Sequence, residues 1–106
     1  MITDAGLSNM KILTDLNLFL NSNITDAGLS KVETLTHLSL CGDSNITDAS
    51  LPSTLIYLNL HNNGKITDEG LLKLTRLRAL DYSGISNISD EAIKSLRDRG
   101  VTVRAQ

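Results

Sequence analysis

Aromatic residues are scarce in this chain of 106 residues: there is no Trp, and only Phe19, Tyr57 and Tyr82 carry rings. Any core must therefore be aliphatic, and the abundant leucines can supply one. Cys41 is the only cysteine, so no intrachain disulfide can form and a disulfide-stapled extracellular scaffold is excluded. A reducing compartment, the cytoplasm, is the expectation that follows. No apolar run approaches the ~18 to 20 residues needed to span a bilayer, and no basic stretch followed by an apolar run marks a signal peptide. A soluble chain without membrane contact is expected. Positive charge is not in excess either. Ten basic against 12 acidic side chains give a net charge of -2 and a pI near 5.5, which argues against a nucleic-acid surface. The seven glycines form no phosphate-binding loop.

The two halves differ in charge. Residues 1 to 53 carry two basic and six acidic side chains, and residues 54 to 106 carry eight basic and six acidic. Opposite ends of this kind could attract in head-to-tail stacking, although a charged C-terminal end explains the asymmetry as simply.

What the chain has in quantity is repetition. Ile-Thr-Asp occurs at Ile2, Ile24, Ile46 and Ile66, and Ile-Ser-Asp at Ile88, with spacings of 22, 22, 20 and 22 residues. A fixed period in the twenties means that each unit is one small element that buries its apolar face only by stacking on its neighbours. One domain over residues 1–106 is expected, with repeats at about 2–23, 24–45, 46–65 and 66–87 and a partial C-terminal repeat over 88–106. Within each unit an alternation such as Leu16-Asn17-Leu18 has the period of a half-buried strand. After Ile-Thr-Asp, pairs such as Leu29 with Val32, Leu71 with Leu74 and Ile93 with Leu96 return at helical spacing, and Thr25 or Asp26 is placed to cap the helix. Leu7 and Met10 hold the same places in the first unit. The third unit is two residues short and contains Pro52, which predicts a short turn in place of a helix.

Superposing the units gives Leu13-x-x-Leu16-x-Leu18-x-x-Asn21, Leu35-x-x-Leu38-x-Leu40-x-x-Asp43, Leu55-x-x-Leu58-x-Leu60-x-x-Asn63 and Leu77-x-x-Leu80-x-Tyr82-x-x-Ile85. This pattern resembles the leucine-rich repeat over essentially the whole chain. The resemblance implies an α/β fold, a right-handed β/α solenoid. Short parallel strands would line its concave side, with helices or turns on the convex side. It also implies that Asn21, Asp43 and Asn63 bond turn backbone inside the coil, a ladder that Ile85 breaks. Ile-Thr-Asp-x-Gly-Leu at residues 24–29 and 66–71 is similar to the cysteine-containing subclass common in F-box ubiquitin-ligase subunits. The subclass cysteine would fall at Asn21, Asp43, Asn63 and Ile85, whereas Cys41 stands two positions earlier.

The outward strand positions form the candidate binding face: Asp15, Asn17, Phe19; His37, Ser39, Cys41; Tyr57, Asn59, His61; and Asp81 with Ala79 and Ser83. Phe19 and Tyr57 are the residue types that anchor protein interfaces, unless they merely pack along the sheet. Cys41, His61 and His37 could be imagined as metal ligands or as a nucleophile with its base. The chain shows no paired ligand motif and no oxyanion-stabilising loop, so neither a metal, a cofactor nor a catalytic residue is expected.

At the C-terminal end Gly100 is placed to end a helix before a last strand, Val101-Thr102-Val103. At the other end the first strand, Leu16 to Leu18, has no polar capping segment, so its edge is a candidate for homo-oligomer contact. The expected function is a non-catalytic scaffold binding a protein partner through its concave face. The alternatives are an end-to-end stacking unit or a fragment of a larger recognition protein such as a ubiquitin-ligase substrate receptor.

Overall fold

The computed structural model describes residues 4, 13–17, 25–32, 34–41, 46–61, 65–83 and 88–105; for Cys41, His61, Ser83 and Ala105 it describes the backbone alone. Five strands follow chain order through one parallel sheet: β1 (Asp15–Asn17), β2 (His37–Cys41), β3 (Tyr57–His61), β4 (Ala79–Ser83) and β5 (Thr102–Ala105). Between them lie α1 (Asp26–Leu29), a 3-10 turn (Asp48–Ser50), α2 (Asp68–Leu72) and α3 (Asp90–Asp98). Each strand pairs only with its neighbours in sequence, which makes the molecule a β/α solenoid. The positions expected for the interior ladder, Asn21, Asp43, Asn63 and Ile85, lie outside the described residues, as do Leu7, Met10 and Leu18.

Register places like on like. Leu16, Leu38, Leu58, Leu80 and Val103 align across the five strands, and Leu40, Leu60 and Tyr82 across the middle three. These side chains point inward and join Leu29, Leu35, Leu55, Ile46, Ile66, Leu71, Ile93 and Leu96 in one aliphatic core. Burying each such side chain contributes roughly 1.5–3 kcal/mol.

The Ile-Thr-Asp phrase holds two structural jobs. The threonine or serine is the helix N-cap: the side-chain oxygens of Thr25, Thr47 and Ser89 accept from the amides of Ala27, Ala49 and Ala92. The aspartate does not cap its own helix. It reaches forward to the next repeat: Asp4 accepts the Thr25 amide (2.7 Å) and hydroxyl (2.5 Å), and Asp26 accepts those of Thr47 (2.8 and 2.5 Å). Asp48 does the same for Thr67, and Asp68 for Ser89 at 2.8 and 2.7 Å. Four carboxylates thus bolt adjacent repeats together. Two of them leave no room for a side chain at the helix beside them. A Cβ on Gly28 would stand 2.8 Å from Asp4 Cα, and one on Gly70 2.5 Å from Asp48 Cγ. At the equivalent place in the short repeat, Ser50 has a side chain and turns it to use, its hydroxyl donating to Asp26 at 2.6 Å.

The short repeat has the turn that its sequence predicts. Leu51 ends the 3-10 turn in an extended conformation (φ -62°, ψ 121°), as a residue before proline prefers. The missing helix leaves a notch of about 450 Å³ beside Leu29, Val32, Leu51 and Pro52. The last helix closes as expected at Gly100, whose φ of 94° suits a residue without Cβ. The Gly100 amide bonds the Arg97 carbonyl and the Val101 amide the Leu96 carbonyl, both at 3.0 Å, a Schellman closure that buries Val101 against the core. Strand boundaries differ from the sequence reading at both ends of the sheet, and Val101 precedes the last strand instead of opening it. The first strand begins one residue earlier, at Asp15, and the last runs on to Ala105 because the alternation Thr102-Val103-Arg104 continues to pair with β4.

Candidate functional site

The face of the sheet away from the helices is built from the alternate strand positions that the buried leucines leave outward. Register sorts them into rows. Asp15, His37, Tyr57, Ala79 and Thr102 form one row, and Asn17, Ser39, Asn59, Asp81 and Arg104 the next. Cys41 and His61 are direct partners in a third row with Ser83. Adjacent strands stand about 4.8 Å apart, so members of a row are side-by-side neighbours despite separations of about 20 residues. Phe19 lies outside the described residues, and for Cys41 and His61 only the strand position is described.

Two small networks cross the rows. At the first, His37 Nδ1 lies 3.3 Å from Asp15 Oδ1 and 2.9 Å from Thr36 Oγ1. The Thr36 hydroxyl donates to the Thr14 carbonyl at 3.3 Å, so its oxygen is left to accept from Nδ1, and the bonding pattern assigns a hydrogen to Nδ1. With side chains 51% and 74% exposed, the histidine–aspartate contact is a weak, solvent-screened one. The His37 ring faces that of Tyr57 at 6.0 Å between centroids, tilted by 32°.

At the second network, the Tyr57 hydroxyl donates to Asp81 Oδ2 at 2.7 Å, a diagonal bond from β3 to β4. Burial pushes the phenol's pKa up, and the bond to the Asp81 carboxylate pushes it further, against a lesser downward pull from Asn59 and Arg104. Tyr57 is therefore a neutral donor at physiological pH. It is also half-buried. Between the two networks, Asp15, Asn17, His37, Ser39 and Tyr57 line an open recess of about 320 Å³ floored by Leu16.

The structure thus brings seven of the expected face residues onto one surface: Asp15, Asn17, His37, Ser39, Tyr57, Asn59 and Asp81. It adds Thr102 and Arg104, which the sequence reading omitted. Their signal was the alternation beyond Val103, which places Arg104 two residues after Thr102 on the same face. Among the described residues no three His, Cys, Asp or Glu side chains converge as metal ligands would. Nor, among them, is any helix long and apolar enough to cross a membrane. What the face offers chemically is recognition: a phenol whose hydroxyl is held by Asp81, an imidazole, and short amide and hydroxyl groups on a rigid backbone.

A family model described as Leucine Rich repeat matches residues 9–32 and 52–74. No curated protein matches the chain.

Proposed function

Since this chain is a leucine-rich repeat protein, we propose that it is a non-catalytic scaffold binding a protein partner across the open face of its sheet. Leucine-rich repeat domains generally mediate protein–protein interaction and are typically non-catalytic. The observation that carries the reading is the unbroken register of five strands, which arrays polar, aromatic and charged side chains from Asp15 to Arg104 over an aliphatic core. Such a face is rigid before it meets a partner, so little conformational entropy is lost on binding. The recess between His37 and Tyr57 supplies a place for one partner side chain. The single cysteine supports a reducing compartment such as the cytoplasm. The two Ile-Thr-Asp-x-Gly-Leu phrases support kinship with the cysteine-containing subclass, and with it a part in a larger recognition protein.

The test is affinity capture from the source lysate by wild type and by a Ser39→Arg, Asn59→Arg variant, after circular dichroism has shown both folded. Both substitutions sit on the outward rows and add bulk and charge at the centre of the face. Loss of the captured protein in the variant supports the reading; equal capture by both removes it.

A second reading, end-to-end stacking of chains, is favoured by Asp90. It holds the place of Asp26 and Asp68 in the last repeat, is exposed, and has no hydrogen-bond partner among the described residues. Light scattering over a range of concentrations tests it, and a constant monomer mass removes it.

A further inference from the structure

A second surface lies where the chain enters strands β3 to β5. Ile56, Thr75, Arg76, Arg78, Arg99 and Thr102 line a groove of about 700 Å³ there, together with Leu77 and Gly100. Among the described residues no carboxylate lines it. Arg99 is held in place, its Nη1 donating to the Leu72 carbonyl at 3.0 Å. Arg76 and Arg78 are exposed and form no ion pair among the described residues. Ile56 is 37% exposed and is the exposed large hydrophobic side chain of the described residues.

The scaffold itself does not require these residues. The backbone carbonyls of Thr14, Thr36, Ile56 and Arg78 occupy one row, each accepting an amide from the next repeat. Threonine fills that row in the first two repeats; isoleucine and arginine replace it in the next two. One position before the buried Leu35, Leu55 and Leu77 stand Thr34, Thr54 and Arg76. The two threonine hydroxyls bond the carbonyls of Leu13 and Leu35, both at 2.5 Å, a contact that Arg76 gives up. Both changes in the fourth repeat therefore exchange a framework threonine for an exposed cation, next to an exposed aliphatic side chain.

Three guanidinium groups without a lining carboxylate select an anion, and guanidinium forks match carboxylates in two-bond geometry. An uncovered aliphatic residue beside them selects a ligand with an apolar side chain. A nucleic acid suits the groove less well: no described residue lining it carries an aromatic ring to stack a base. We propose that this groove docks an acidic segment of a partner protein, with its carboxylates on Arg76, Arg78 and Arg99 and an aliphatic side chain on Ile56. The site adjoins the open face of the sheet at Thr102, which belongs to both, but Ile56 and the three arginines stand outside the rows of that face.

The experiment is fluorescence anisotropy of a fluorescein-labelled decapeptide of Glu and Leu titrated with the full chain, beside the same peptide with Gln for Glu. Two variants return the groove to the framework residue: Arg76→Thr with Arg78→Thr, and Ile56→Thr. Because Thr34 and Thr36 already occupy these places, both variants keep the fold, which a thermal melt verifies. Saturable binding of the Glu/Leu peptide that weakens about tenfold or more in the arginine variant, and several-fold in Ile56→Thr, is the expected result. The Gln peptide binds far more weakly, and the Ser39→Arg, Asn59→Arg variant binds like wild type. Binding indifferent to the groove variants, or no saturable binding, overturns the proposal. So does an oligothymidylate that displaces the peptide more effectively than unlabelled peptide does. A dimer abolished by the arginine variant would replace it with a second copy of the chain as occupant.

Discussion

Asp26 accepts both the amide and the hydroxyl of Thr47, a residue 21 positions further on, at 2.8 and 2.5 Å. Ser50 adds a third donor at 2.6 Å, so one half-buried carboxylate gathers three bonds from the repeat that follows. An interaction of this density between consecutive units is a sensitive place to test what holds the stack together.

Replacing Asp26 by Asn keeps the shape and an acceptor but presents an amide N–H₂ to a hydroxyl or amide donor. The expected loss of stability is roughly 1–3 kcal/mol, the cost of leaving a buried polar group ill-matched, read from urea denaturation midpoints. Ser50→Ala, which removes one donor of the three, is expected to cost less.

The same carboxylates set an acid limit. The Thr25 and Ser89 hydroxyls, then their amides, hold Asp4 and Asp68 below the usual carboxylate range. For Asp26 burial works upward, but the bonds from Ser50 and Thr47 outweigh it and the net shift is again downward. Folded values lie below the unfolded value of about 3.9, so this stabilisation is complete above about pH 4 and is lost as pH falls through the folded values. Wild type should therefore lose its advantage over Asp26→Asn as urea midpoints are measured from neutral pH into that acid range.

Two glycines should respond to alanine for different reasons. Gly70→Ala places a Cβ against the Asp48 carboxylate and is expected to cost about 1–3 kcal/mol by overpacking. Gly100→Ala meets open space but keeps a φ of 94°, so about 1 kcal/mol is expected from the backbone alone. Asn recovers part of the loss at Gly100 and none at Gly70, a contrast that thermal melts of the four variants would check.

Removing aliphatic volume at the centre should be the costliest change. Leu58 is fully buried with a leucine on each side in register, and Leu58→Ala is expected to lose about 2–5 kcal/mol. Leu16→Ala, on the terminal strand, should lose less, and hydrogen exchange should show β1 opening before β3.

On the open face, the ionisation of Tyr57 reports its burial and its bond to Asp81. In a Tyr82→Phe background, the spectrophotometric titration should show a phenol ionising above about pH 10, and Asp81→Asn should lower that midpoint. An unchanged midpoint would mean that burial alone sets it.

The parallel sheet, the aliphatic core and the turn at Pro52 were legible because they rest on periodicity and on local backbone rules. The face rows followed from the same alternation. Asp26 was less legible. A residue in the first turn of a helix reads locally as a cap, and only the stacking of the next repeat at the right distance shows it bonding forward to Thr47. The bond from Tyr57 to Asp81 was illegible for a related reason: the two residues are 24 positions apart and one row over, and no spacing rule joins them. The groove arginines were hidden because they stand at positions whose ordinary occupant, threonine, has only a structural task.

The forward reach of the aspartates bears on how such a chain is inherited. Threonine and aspartate sit side by side in one tripeptide, so every unit carries both halves of the joint, a socket for the unit before and a plug for the unit after. An in-frame duplication or deletion of a whole unit leaves every remaining joint matched. The 20-residue repeat, shortened between its joints and still bonded at both ends through Asp26 and Asp48, shows that length can drift while the coupling persists.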